Sequence, residues 1–359
     1  MGTTAQERTD RLNDKIFAAG LGATDLTILY LGEKLGLFRA IAAAGSATPA
    51  ELAKATGTAG RYCREWLEAA AATEFLEVDD PAAAPDERRF RIPAGGEALL
   101  ADPADPSFQG YVPMLFTGCI VMLPAIVEAF RTGGGVPWSQ YGPDVIDGQE
   151  AQNRNLYLSS LATEWLPKIP DVHARLSEPG ARVADVACGT GWSSIAIAEA
   201  YPGAEVHGFD LDEYSIAKAR GYAEERGLAG RVRFEVRDAA DPSLSGAFDL
   251  VLILEALHDM GDPVAVLRAT RSLAGDRGMV VVMDEKTEET FTPNAPDLER
   301  LFYGFSLLAC LPAALADGPV GTGTVMRPDT LRAYARDAGF SSVGILPIDT
   351  EMFRFYRLG

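Results

Sequence analysis

The stretch VADVACGTGWSS, residues 183–194, runs from apolar residues into two glycines, Gly189 and Gly191, and then into a helical pattern. A glycine turn between a strand and a helix is a common seat for a nucleotide-like group. Three acids recur around it. Asp185 lies four residues before Gly189, Asp210 closes the next apolar run 19 residues after Gly191, and Asp238 closes a third in Arg237-Asp238-Ala239. The chain also has three histidines. His258 stands just past a fourth apolar run, in LEALHDMGDP, and histidine is the natural proton acceptor near neutral pH. His207 falls inside the second run and reads as structural; His173 has no motif around it.

Three kinds of ligand compete for the turn. The dinucleotide fingerprint GxGxxG is matched only in part, because Ser194 holds the third glycine position. A phosphate-binding loop needs Gly-Lys-Ser/Thr, and no lysine follows. The third candidate, S-adenosylmethionine, carries no phosphate. It needs a tight turn, a carboxylate for the ribose hydroxyls and an acceptor for the adenine amine. Asp210 and Asp238 fit the last two needs, although NAD enzymes also place an acid where Asp210 stands.

Positioning these residues requires a particular frame. From residue 181, strand-like runs (RVADVAC, EVHGFD, VRFEVRD, FDLVLILEAL, MVVVMDE) alternate with helical ones. That alternation predicts a parallel sheet with helices on both faces, an α/β Rossmann-like fold whose site lies at the strand C-termini. SVGILPI and MFRFYRL, 342–348 and 352–358, are too close for a helical crossover and must form a C-terminal antiparallel hairpin.

Upstream, TPAELAKATG predicts a helix capped by Thr48, with Pro49 first, Glu51 reaching back and Gly57 ending it. Thr58 is expected to cap a second helix through AGRYCREWLEAAAATEFLEV, and PDERRFRIPA forms a strand-like wing. This is a winged-helix pattern. The reading divides the chain into a winged-helix domain over 1–110, a helical connector over 111–180 and a catalytic domain over 181–359.

DVACGTG, FDLD, RDAAD and LILEALHD, in that order and spacing, resemble the class I S-adenosylmethionine-dependent methyltransferases. With the winged helix, the resemblance extends to small-molecule O-methyltransferases. It implies S-adenosylmethionine as cofactor and S-adenosylhomocysteine as product. The implied cofactor residues are Asp185, Ala187, Gly189, Gly191, Asp210, Leu211, Asp238, Ala239 and Glu255. It also implies that His258 is the base for a hydroxyl acceptor, that Asp259 orients it, and that Glu255 contacts cofactor or substrate. The N-terminal module of such proteins dimerises, so a homodimer is expected. One departure is Ala187, where the family turn has a glycine; alanine suits a strand end rather than a positive φ.

The remaining expectations concern the pocket and the surroundings. Tyr157 and Trp165 on the connector, and Tyr303, Phe305 and Met326 in a later insertion, are candidate acceptor contacts. N- or C-methylation and a ligand-sensing DNA regulator are the rival functions. His258 and Asp259 could supply two metal ligands, with Cys310 or Asp284 as a distant third, and a metal would favour an enolised carbon as nucleophile. Nothing in the local spacing supports that, and no metal is expected. The net charge is −19, and residues 1–110 hold 11 Lys and Arg against 17 Asp and Glu, so nucleic acid is not an expected partner. The most apolar stretch, 111–130, carries Pro113, Pro124 and Glu128 and reads as a buried helix pair rather than a membrane span. The four cysteines form no CxxC, and a reducing, cytoplasmic setting fits.

Overall fold

The computed structural model describes residues 4–359. The chain forms two compact units, Met1–Gly118 with Asp147–Ala151, and Cys119–Ile146 with Gln152–Gly359.

In the first unit, a 30-residue helix, Ala5–Lys34, leads into the short helices Leu37–Ala44, Pro49–Thr56 and Gly60–Ala72. Thr48 caps the third helix as its sequence predicts: its hydroxyl accepts from Glu51 N, Glu51 reaches back to Thr48 N, and Gly57 ends the helix in the left-handed region. Thr58 does not cap the next helix. Ala59 holds the cap position, and the Thr58 hydroxyl bonds Thr56 and the Cys63 thiol instead. Two short strands, β1 (Glu77–Val78) and β2 (Phe90–Arg91), pair antiparallel as the wing. Phe38, Ile41, Leu52, Trp66, Leu67 and Phe90 fill the core. Trp66 also ties the long helix down by donating from Nε1 to the Ile28 carbonyl.

The apolar stretch 111–130 forms the helices Tyr111–Val121 and Leu123–Thr132, bent by 50° at their junction. The expectation of a buried helix pair or pocket wall is met only in part as regards burial. Leu115, Cys119 and Ile126 are buried, but Val121 and Phe130 are 70% and 71% exposed.

The second unit is built on a seven-stranded sheet. Its strands are β3 (Arg182–Val186), β4 (Glu205–Asp210), β5 (Val232–Val236), β6 (Leu250–Leu254), β7 (Met279–Glu285), β8 (Val343–Ile345) and β9 (Phe353–Leu358), in the order β5-β4-β3-β6-β7-β9-β8. The first five are parallel. The predicted hairpin is present, and β9 lies between β8 and β7, antiparallel to both. Alternate residues feed two cores. Val183, Leu250, Leu252 and Val281 face one side; Ala184, Val251, Ile253 and Val282 face the other. β3 is flanked by β4 and β6, so the connections leave it in opposite directions and a crevice opens at the strand C-termini.

Candidate functional site

The glycine turn occupies that crevice. Gly189 and Gly191 have φ of 52° and 81°, in the left-handed region. A Cβ on Gly191 would meet Phe234 at 2.5 Å, whereas one on Gly189 would meet nothing within 4 Å, so the space above Gly189 is open. Ala187 also takes a positive φ, 58°, which corrects the expectation of a strand-end conformation. The turn needs left-handed geometry there whatever the residue, and alanine bears the strain.

The acids take different parts. Asp185 is fully buried, and its Oδ2 accepts 2.6 Å bonds from both Ser193 and Ser194. Burial pushes its pKa up to about 6 despite those bonds. It fastens the end of β3 to the start of the helix Trp192–Ala200, and Ser194 at the third glycine position is one of its partners. Asp210 is held by two backbone donors, Gly189 N at 2.7 Å and Asp212 N at 2.9 Å, and remains partly exposed. Leu211 beside it is exposed. Asp238 is exposed in a turn, accepting from Ala240 N, with Ala239 buried next to it. This crevice presents carboxylates, an apolar side chain and open glycine backbone. It suits a sulfonium nucleoside without phosphates better than a pyrophosphate.

His258 lies in the turn after β6, 2% exposed. Its Nδ1 is 2.8 Å from Asp284 Oδ1 and 3.1 Å from Glu285 Oε2; its Nε2 is 3.2 Å from Asp259 Oδ1. Asp284 and Glu285 end β7, the parallel neighbour of β6. Burial alone would lower the imidazole pKa, but the carboxylates of Asp259, Glu285 and Asp284 more than offset it and hold it well above the usual value. The two β7 acids divide. Burial raises Glu285 well above the carboxylate range, while at Asp284 burial is more than offset by the His258 charge together with hydrogen bonds from His258 and Glu285, which hold it below the usual carboxylate value. Sequence reasoning named Asp259 as the orienting group and treated Asp284 only as a remote ligand. The structure sets Asp284 behind the ring and Asp259 in front of it.

Glu255, at the end of β6, has a φ of 55° and donates its N–H to the Met283 carbonyl. Tyr157 is buried in a π-helical segment, Tyr157–Trp165, where desolvation and the charges of Glu255, Asp185 and Glu285 raise its phenol pKa. Of the five acceptor candidates, Tyr157 is thus a buried core residue that feels the charges of the site's acids. Trp165 packs edge-on against Phe353 and Phe355 in the core. Met326 is 3% exposed in the opposite core. The Tyr303 hydroxyl accepts from Arg327, which clamps the buried Glu299 with two bonds. Phe305 is partly buried at the end of the helix Asp297–Phe305. The glycine-rich segment 318–324 backs the His258 turn, with Gly323 N donating to the His258 carbonyl.

Comparison with known proteins agrees with this architecture. Residues 177–312 match a methyltransferase domain, and residues 23–100 match an Rv2258c-like winged HTH domain. The chain is 31% identical over 203 residues to the ubiquinone biosynthesis O-methyltransferase of Pseudomonas paraeruginosa, covering 56% of this chain and 80% of that one. It is 30% identical over 188 residues to the protein of the same name from Bordetella avium, covering 52% and 71%. Among solved structures, the mitomycin 7-O-methyltransferase MmcR aligns with a TM-score of 0.70 at 19% identity, covering 99% of both chains. Human N-acetylserotonin methyltransferase in complex with S-adenosylmethionine aligns with a TM-score of 0.66 at 18% identity, covering 100% of this chain and 99% of that one. At such identities the solved structures speak for the fold. The chain belongs to the class I S-adenosylmethionine-dependent O-methyltransferase family and joins its catalytic domain to a winged helix-turn-helix domain.

Proposed function

We propose that the chain transfers a methyl group from S-adenosylmethionine to a hydroxyl of a small, largely apolar acceptor, with His258 as the base. The observation that carries this reading is the buried Asp284–His258 pair at the C-terminal end of β6, beside the open glycine turn. S-adenosylmethionine supplies an electrophilic methyl on a sulfonium. The residues that hold it are Gly189 and Gly191 through open backbone, Asp210 through its remaining lone pairs to the ribose, Leu211 against the base and Asp238 toward the adenine amine. Asp185 and Ala187 shape the turn. Asp284 fixes the tautomer and ring plane of His258, so that Nε2 faces forward and removes the hydroxyl proton as the methyl moves. In this reading Glu255 and Tyr157 orient ligand, and of the other acceptor candidates Tyr303 and Phe305 line the pocket, whereas Met326 packs in the core.

The same reading makes the protein a cytoplasmic homodimer. Leu12, Ile16, Phe17 and Leu21 leave apolar surface exposed on the helix Ala5–Lys34, which a second copy of the chain would cover.

Calorimetry with S-adenosylmethionine and with NAD, followed by a screen of phenolic acceptors, tests the proposal. Binding of the methyl donor that is lost in Asp210→Ala, together with O-methyl product lost in His258→Ala, supports it. Binding of NAD, or turnover that survives His258→Ala, overturns it.

A further inference from the structure

In front of His258, three side chains converge that sequence spacing does not connect. One ring nitrogen of His258, one carboxylate oxygen of Asp259 and Cys310 Sγ all lie within 4.8 Å of one another, and His258 Nε2 is 3.2 Å from Asp259 Oδ1. Cys310 arrives from 51 residues downstream, at the end of the π-helical segment Ser306–Cys310. Such segments interrupt helices at functional sites more often than elsewhere. Asp259 Oδ1 is buried and accepts no well-formed hydrogen bond, with Nε2 3.2 Å away. Thr324, 2% exposed, brings its hydroxyl beside the thiol. Behind the ring, the Asp284 carboxylate holds Nδ1 at 2.8 Å. A metal-bound histidine is typically held in this way, by a carboxylate on the nitrogen away from the ion.

We propose that His258, Asp259 and Cys310 form a site for a soft divalent transition metal of the Zn²⁺ class. One nitrogen, one carboxylate oxygen and one thiolate suit Zn²⁺ or Co²⁺ and do not suit Mg²⁺ or Ca²⁺, which take oxygen donors. Three protein ligands leave a fourth position open. As the metal bonds form, the Cys310 thiol and the protonated His258, at Nε2, each release a proton to solvent. A second group, His258 with Asp284 and Glu285, also has ligand spacing, but all three are buried and Nδ1 is already engaged by Asp284 at 2.8 Å. The metal site does not rest on the methyl-transfer reading. Where both hold, metal and substrate proton compete for the one Nε2 lone pair.

The test uses the full chain without a histidine tag, stripped with chelator and titrated with Co²⁺ and then Zn²⁺. The expected result is one Co²⁺ per chain, with a near-ultraviolet sulfur-to-cobalt band that Zn²⁺ abolishes. Cys310→Ser should remove that band, and Asp259→Asn should weaken Zn²⁺ binding at least 10-fold. Circular dichroism of each variant separates loss of the site from loss of the fold. Cys63, Cys119 and Cys188 are also free thiols. A band that persists in Cys310→Ser therefore places the metal elsewhere and overturns the proposal, as does failure of the parent chain to bind Zn²⁺.

Discussion

Nδ1 of His258 and Oδ1 of Asp284 lie 2.8 Å apart with both side chains 2% exposed, although one sits in the turn after β6, the other at the end of β7, and they are 26 residues apart. The contact follows from register. β6 and β7 run parallel with Leu254 opposite Met283, so the residues that follow each strand emerge side by side. Asp284→Asn keeps the shape and removes the charge that orients the ring. Turnover should fall roughly 10²- to 10⁴-fold with donor affinity unchanged, as steady-state kinetics and calorimetry would show. An equal loss of donor binding would point to a collapsed turn instead.

The imidazole must be neutral to accept a proton, and its carboxylate neighbours hold its pKa well above 6.5. Methyl transfer should therefore rise with pH through the range above 6.5. Asp259→Asn removes one of the charges that raise the pKa, so the rising limb should move to lower pH. A kcat/KM profile over pH 6 to 10, for both proteins, checks the direction of the shift.

Ala187 holds a φ of 58° that glycine would take without strain. Relief of left-handed strain, less the greater freedom glycine gives the unfolded chain, leaves Ala187→Gly roughly 0.5 to 1 kcal/mol more stable. Thermal melting should show a higher midpoint, with donor binding retained.

Arg327 clamps Glu299, whose side chain is 3% exposed. Arg327→Ala leaves a buried carboxylate without its partner, and the expected loss is roughly 3 to 5 kcal/mol. Replacing both residues, Arg327→Met with Glu299→Leu, should recover much of it in a urea titration. An additive double loss would show that the clamp matters for its shape rather than its charge.

How much of this could be read from the residues depends on how local each feature is. The capped helix at Thr48, the glycine turn, the parallel strands and the hairpin are all announced by neighbours in sequence, and the structure has them. The partners of His258 are not. Asp284 and Glu285 were visible as two acids closing MVVVMDE, but only the adjacency of β6 and β7 makes them the ring's neighbours. Cys310 is further removed, since its place depends on how an inserted helix packs over the strand ends. The Thr58 cap failed because a thiol and a second hydroxyl lay within its reach. The exposed half of 111–130 was missed because apolar composition alone does not say what covers a helix.

The position of β9 constrains the order of events during synthesis. It is later in sequence than every other strand, yet it supplies a partner to β7 on one side and to β8 on the other, with Phe353 and Phe355 seated against Trp165. Until residue 358 has emerged, the strand that carries Asp284 and Glu285 presents a bare edge to a chain still being made. A nascent chain stalled before that point exposes a hydrogen-bonding edge of buried valines, which makes it a natural client for chaperones.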